Sequence, residues 1–114
     1  MGQEITAVRG TVTYRERIAL PPQALIEVTL EDSARADAPA TVIGQQQIVA
    51  NGQQVPFAFT FTIHYDPAAI TLAGRYVVRA TITVDGVLRY TTTRLYPVIT
   101  GDNPSVVAIV VDRV

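Results

Sequence analysis

The chain of 114 residues contains no cysteine, which excludes disulfides, thiol chemistry and cysteine-ligated metal. It has a single histidine, His64, too few nitrogen ligands for a zinc site. Serine is almost as scarce. Only Ser33 and Ser105 occur, and neither sits in the Gly-flanked setting of a nucleophile elbow. Lysine is absent, and nine arginines face ten acidic residues for a net charge of −1. The arginines are scattered, so no field exists for gathering nucleic acid. No apolar run approaches the length needed to cross a membrane as a helix. Met1-Gly-Gln-Glu lacks the basic start and apolar stretch of a secretory leader.

The remaining candidates for chemistry are thin. Ser33, His64 and Asp66 are the residue types of a hydrolytic triad, but a histidine on a strand surface is the simpler reading. Asp32, Asp37 and Asp66 could meet at one end of the fold and hold calcium, yet loop aspartates usually cap turns. Gly10, Gly44 and Gly74 fall in strand or turn contexts, and no glycine-rich phosphate loop exists. Arg15 and Arg17 straddle Glu16 and could clamp a partner's carboxylate, although a surface ion pair is the commoner outcome. The inventory predicts no catalytic residues, no cofactor and no metal.

What the chain does have is alternation. Apolar residues make up 48% of it, and its length suits one domain, residues 1–114, with one core. Residues 1–4 are expected to be disordered or introduced with an expression vector. Val8, Gly10, Val12 and Tyr14 share one face of a strand, and Arg9, Thr11, Thr13 and Arg15 the other. At Ile18-Ala-Leu-Pro-Pro22 two prolines remove backbone donors and force the chain out of the sheet. Alternation resumes with Ile26, Val28 and Leu30. Thr41 to Val49 reads as a strand that Gly44 marks as bulged or at an edge, and Asn51-Gly52 reads as a turn. The strand from Pro56 to Tyr65 sends Phe57, Phe59, Phe61, Ile63 and Tyr65 to one face. Asp66 and Pro67 suit the cap and first position of one short helical turn.

Leu72, Gly74 and Tyr76 have the spacing of a tyrosine corner, whose hydroxyl bonds back to the preceding loop. Around Asp85-Gly86 a two-residue turn would set Ile82 opposite Arg89. A three-residue loop, Val84 to Gly86, would instead pair Ile82 with Leu88 and Ala80 with Tyr90, and the hydrophobic match favours it. Ser105 to Asp112 forms a near-continuous apolar strand, expected to be central or covered on both faces. The expected fold is therefore all-β, a single-domain β-sandwich of immunoglobulin or prealbumin type with about seven strands. Its expected core is Val12, Tyr14, Ile26, Val28, Leu30, Phe57, Phe59, Phe61, Tyr76, Val78, Ile82, Leu88 and Val107.

Several of these positions also carry a resemblance. Gly10-x-Val-x-Tyr14-x-x-Arg17-x-Ala-Leu20-Pro21, then Ala24 and Val28-x-Leu-x-Asp32, resembles the small bacterial lipoproteins of YbaY and YscW type. The likeness continues through Val55-Pro-Phe, Arg75-Tyr76-x-x-Arg-Ala and Asp85-Gly86 to Tyr96-Pro-Val-Ile-Thr100. That family includes the pilotins, the lipoprotein chaperones of type III secretion secretins. The resemblance implies a non-enzymatic envelope domain that binds a secretin-like protein, reaching the outer membrane only through a lipid anchor upstream of this segment. No nucleic-acid partner is implied, and oligomeric state is not implied at all. The other class considered is a small-molecule or glycan-binding module; a third is an accessory domain of an enzyme. An apolar groove would favour protein binding, and a concave site with stacked aromatics would favour glycan. The shared positions Gly10, Tyr14, Arg17, Leu20, Pro21, Asp32, Tyr76 and Gly86 are expected to serve the fold.

Arg17 lies beside the proline corner, where a guanidinium would satisfy a carboxylate on the returning strand, and Asp32 is the nearest candidate by chain return. If the pair is partly buried, Arg17→Ala and Asp32→Ala should each destabilise. A double-mutant cycle read by urea unfolding should show coupling of about 0.5–3 kcal/mol.

Overall fold

The computed structural model describes residues 6–16, 19–33, 40–51 and 58–114. Among these residues there are eight strands: β1 (Ala7–Tyr14), β2 (Leu25–Asp32), β3 (Thr41–Val49), β4 (Ala58–His64), β5 (Tyr76–Val84), β6 (Val87–Thr91), β7 (Pro97–Val98) and β8 (Val106–Arg113). They form one sheet in the order β3-β2-β5-β6-β8-β1-β4, with the short β7 beside β5. β1 and β8 run parallel, and the other pairings are antiparallel.

The all-β expectation holds, but two separate sandwiched sheets do not describe the molecule. β6 pairs with β8 through Tyr90↔Arg113 and Thr91↔Asp112, which joins the two layers into one sheet. The sheet then curls until its end strands approach. At that seam the Thr62 amide donates to Gln46 Oε1 at 2.7 Å. A Cβ at Gly44 would come within 2.6 Å of Ile63 Cγ2. The result is a nearly closed barrel-like sheet.

Side-chain alternation fills the interior. Val8, Val12 and Tyr14 of β1, Ile26, Val28 and Leu30 of β2, and Phe59, Phe61 and Ile63 of β4 are all buried. Truncating Phe59 or Phe61 would cost about 3–5 kcal/mol. Phe57 lies outside the described residues. Tyr76, Val78, Ala80 and Ile82 follow from β5, and Ile109 and Val111 from β8. β8 is central, between β1 and β6, but it is not covered throughout. Val107 is only partly buried and Val106 is 64% exposed. Gly10 lies between β4 and β8, and an added Cβ would strike the Val107 carbonyl oxygen and touch the Phe61 ring at 3.0 Å.

The β5–β6 hairpin corrects the expected three-residue loop. Val84 pairs with Val87 across a two-residue turn, with Asp85 at φ 51 and Gly86 at φ 79. That geometry is the twist-matched two-residue type. The difficulty of burying Arg89 is removed elsewhere. The register shifts between Ile82 and Thr83, so Thr83 pairs with Leu88 and Ile82 with Tyr90. The bulge leaves Arg89 without a residue opposite, turns Tyr90 inward and leaves Leu88 41% exposed, which takes Leu88 out of the core. The bulge expected near Gly44 is present, since Leu30 pairs with Gly44 and Glu31 with Val42. β3 is also an end strand of the sheet.

A single 3-10 turn, Pro67–Ala69, follows β4, with Asp66 as cap and Pro67 leading. The Asp66 carboxylate accepts from the Ala68 amide at 2.9 Å. Beyond it the Tyr76 hydroxyl reaches back to that loop. It accepts from the Thr71 amide at 2.9 Å and donates to the Ala69 carbonyl at 3.2 Å. Gly74 makes room for the ring, because a Cβ there would lie 2.5 Å from Tyr76 Cε2. Tyr76→Phe keeps the ring and orphans both loop groups. It should lower unfolding free energy by about 1–3 kcal/mol in urea titrations without changing the circular dichroism spectrum of the folded state.

Candidate functional site

Three segments distant in sequence converge where β1, β5 and β8 finish. Ala19, Leu20 and Pro21 leave the proline corner; Val84, Arg89 and Tyr90 flank the β5–β6 hairpin; Arg113 ends β8. Together they line an apolar cleft of about 240 Å³. Leu20 is 6% exposed and Tyr90 3% exposed, so both form floor rather than rim. Beneath them Tyr14 and Tyr90 pack with ring centroids 5.1 Å apart and planes tilted by 41°, a favourable aromatic geometry. Arg89 and Arg113 are exposed and stand at the mouth.

The surrounding electrostatics follow from this packing. Burial raises the Tyr90 hydroxyl above its ordinary value; the Glu16 charge adds to the shift, Arg113 opposes it, and a side-chain hydrogen bond with Glu16 raises it further. Burial likewise raises Tyr14, reinforced by Tyr90 and Glu16 and opposed by a backbone hydrogen bond at Leu20. Arg15 is drawn to Asp112 of β8 at 3.4 Å, with 65% of its side chain exposed, so this is a surface pair worth little. Thr93 also donates to Asp112. At the hairpin tip Gln23 donates to Asp85 at 3.5 Å.

Two other concavities differ in character. On the outer face of β2, β5 and β6 a polar trough is lined by Glu27, Thr29, Glu31, Arg79 and Thr91, with Arg79 and Glu31 3.3 Å apart. At the opposite end of the sheet Ser33, Arg75, Val77, Leu95 and Asn103 border a hollow of about 430 Å³. Beside it Ile99 adopts φ 75, and the Thr100 amide donates to the Val98 carbonyl at 2.9 Å. That is a tight three-residue turn strained for a β-branched residue.

The residues singled out in the sequence divide accordingly. Leu20 and Pro21 line the cleft, and Tyr14 lies beneath it. Gly86 forms the hairpin turn, Asp32 ends β2 opposite Tyr76, and Gly10 pairs with Phe61 and Val107. Arg17 and Asp37 lie outside the described residues, so the Arg17–Asp32 pair does too. Ser33 donates to the Arg75 carbonyl at 3.2 Å, while His64 is an exposed end residue of β4. No hydrogen bond joins the two among the described residues. Nor do three or more His, Cys, Asp or Glu gather there into a metal cluster. Arg89 and Arg113 carried no motif, and only the folded hairpin and the last strand bring them together.

What a relative has to match is therefore an all-β sheet with an end-on apolar cleft. The chain belongs to the YscW family, the type III secretion system lipoprotein chaperones, whose family model matches residues 3–111. It is 40% identical over 92 residues to the uncharacterized lipoprotein YbaY of Escherichia coli K12, a match covering 81% of this chain. The chain spans about half, 47%, of that relative's length. Among solved structures it is similar to an alternative pilotin from the type II secretion system of Vibrio cholerae. The two share 45% identity and a TM-score of 0.90, over 97% of this chain and 98% of that one.

The raised tyrosines set a pH limit. Burial also lifts Tyr65 above 10.0, as it does Tyr14 and Tyr90. The folded state therefore holds these protons more tightly than the unfolded chain. Their contribution to stability should be complete below about pH 10 and lost as pH rises through the folded values. Tyrosinate absorbance should show these groups ionising above the ordinary range, with chemical stability falling in the same window.

Proposed function

We propose that this chain is a single, non-enzymatic domain of a cell-envelope lipoprotein that binds protein. Its role on this reading is that of a pilotin-like chaperone for a secretin-like outer-membrane component of a secretion system. The observation that carries the reading is the likeness to the Vibrio cholerae pilotin, which extends over nearly the full length of both chains at 45% identity. Membership of a lipoprotein chaperone family supports the same role and an envelope location. Among the described residues no helix is long and apolar enough to cross a membrane. On this reading a lipid attaches the protein to the outer membrane, in keeping with its lipoprotein family.

The cleft supports protein over glycan. Its lining is mainly aliphatic, and its aromatic residue is 3% exposed, leaving no open ring face on which a sugar could stack. An aliphatic pocket suits a peptide side chain. The test uses the purified chain and fluorescent peptides tiling the secretin of the same bacterium, followed by anisotropy. One contiguous segment should bind saturably and compete with its unlabelled form. Absence of binding by every segment, with the chain folded by circular dichroism, would refute the secretin reading.

A further inference from the structure

The mouth of the cleft carries two exposed arginines. Of the described side-chain carboxylates near it, Asp85 accepts from Gln23, and Asp112 is held by Arg15 and Thr93. Arg89 and Arg113 both line the opening and are exposed. Neither makes an ion pair among the described residues. The bulge in β6 puts Arg89 opposite no partner residue, a device that commonly re-aims a side chain. The Arg89 carbonyl in turn accepts from the Val114 amide at 2.9 Å, which ties the backbone of the bulge to the chain just after Arg113. Two exposed arginines are thereby brought to the edge of a floor made by Leu20, Pro21, Val84 and Tyr90.

We infer that this cleft is a socket for a partner protein's segment that inserts an aliphatic side chain and presents a carboxylate to Arg89 and Arg113. The inference rests on the protein-binding reading above and adds the surface and the chemistry. Size supports a side chain as the occupant. About 240 Å³ is below the roughly 300–1,000 Å³ of sites that enclose a whole small molecule. The two planar forks match a carboxylate, which they can grip bidentately with geometric selectivity. A fatty acid shares this chemistry but would need a long enclosed tunnel for its chain. The short open cleft favours peptide.

The probe is N-acetyl-leucine, which carries one aliphatic side chain and one carboxylate, compared with its neutral amide by amide-shift NMR. The acid should move the signals of Leu20, Val84, Arg89 and Arg113 saturably. The neutral amide should bind at least tenfold more weakly, as should the acid on the double variant Arg89→Gln/Arg113→Gln. Both arginines are exposed, so that variant should melt like the parent. Equal binding of acid and amide, shifts centred elsewhere, no saturable shift, or undiminished binding to the variant would each overturn the socket. Decanoate displacing the probe and binding at least tenfold tighter would overturn the peptide as occupant in favour of a lipid. The secretin peptides separate the two readings. A segment that binds parent and double variant equally sinks the socket and leaves the partner standing. Carboxylate-selective probe binding with no secretin segment bound supports the socket and removes the secretin as its partner.

Discussion

The two layers of this molecule depend on a very short junction. β6 and β8 meet over two residue pairs only, whereas β8 follows β1 through six. Beyond that junction the edge of β8 facing away from β1 has no strand beside it among the described residues, and buried or half-buried backbone groups require partners. Tyr96 supplies them at the critical point. Its hydroxyl accepts from the Val110 amide at 3.0 Å and donates to the Val110 carbonyl at 3.3 Å. Its own carbonyl accepts from Val78 of β5 at 3.0 Å. One tyrosine thus spans the gap between the layers with a backbone bond on one side and a side-chain bond on the other.

That junction also defines the cleft. Because β6 must bulge to bring Tyr90 inward beside Ile82, the next residue back along the chain, Arg89, is left outside the ladder. Because β8 must continue past Val111 to reach β6, Arg113 arrives at the same end. The apolar floor comes from the proline corner, whose missing donors release the chain from the sheet where the barrel needs an end cover. The cleft is therefore a by-product of how the sheet joins its halves.

Alternation made β1, β2, β4 and β5 readable, because each sends large apolar side chains to one face and short polar ones to the other. The Asp66–Pro67 cap and the Tyr76 corner were readable for a different reason, namely that their hydrogen bonds are local. The β5–β6 hairpin departs from the sequence expectation because loop length and strand register are set separately there. The Asp85-Gly86 turn kept its preferred two residues, and the mismatch was absorbed by a bulge that has no sequence signature of its own. Single-sheet closure was equally hidden, since the β6–β8 pairing depends on where the Thr92–Tyr96 excursion lets β6 stop. Of the cleft, Ala19, Leu20 and Pro21 stood out in the sequence. The arginines did not, because their juxtaposition exists only in three dimensions.

The pairing of the first strand with the last has a bearing on how the molecule comes into being. Thr13 and Ile109, joined by a hydrogen bond, are 96 residues apart, so their meeting carries nearly the largest loop-closure entropy the chain can incur. Until β8 arrives, β1 has β4 on one side and an open edge on the other, and the β6 side has nothing to join. The sheet therefore stays open along β1 until β8 joins it, however early β1 to β4 have come together.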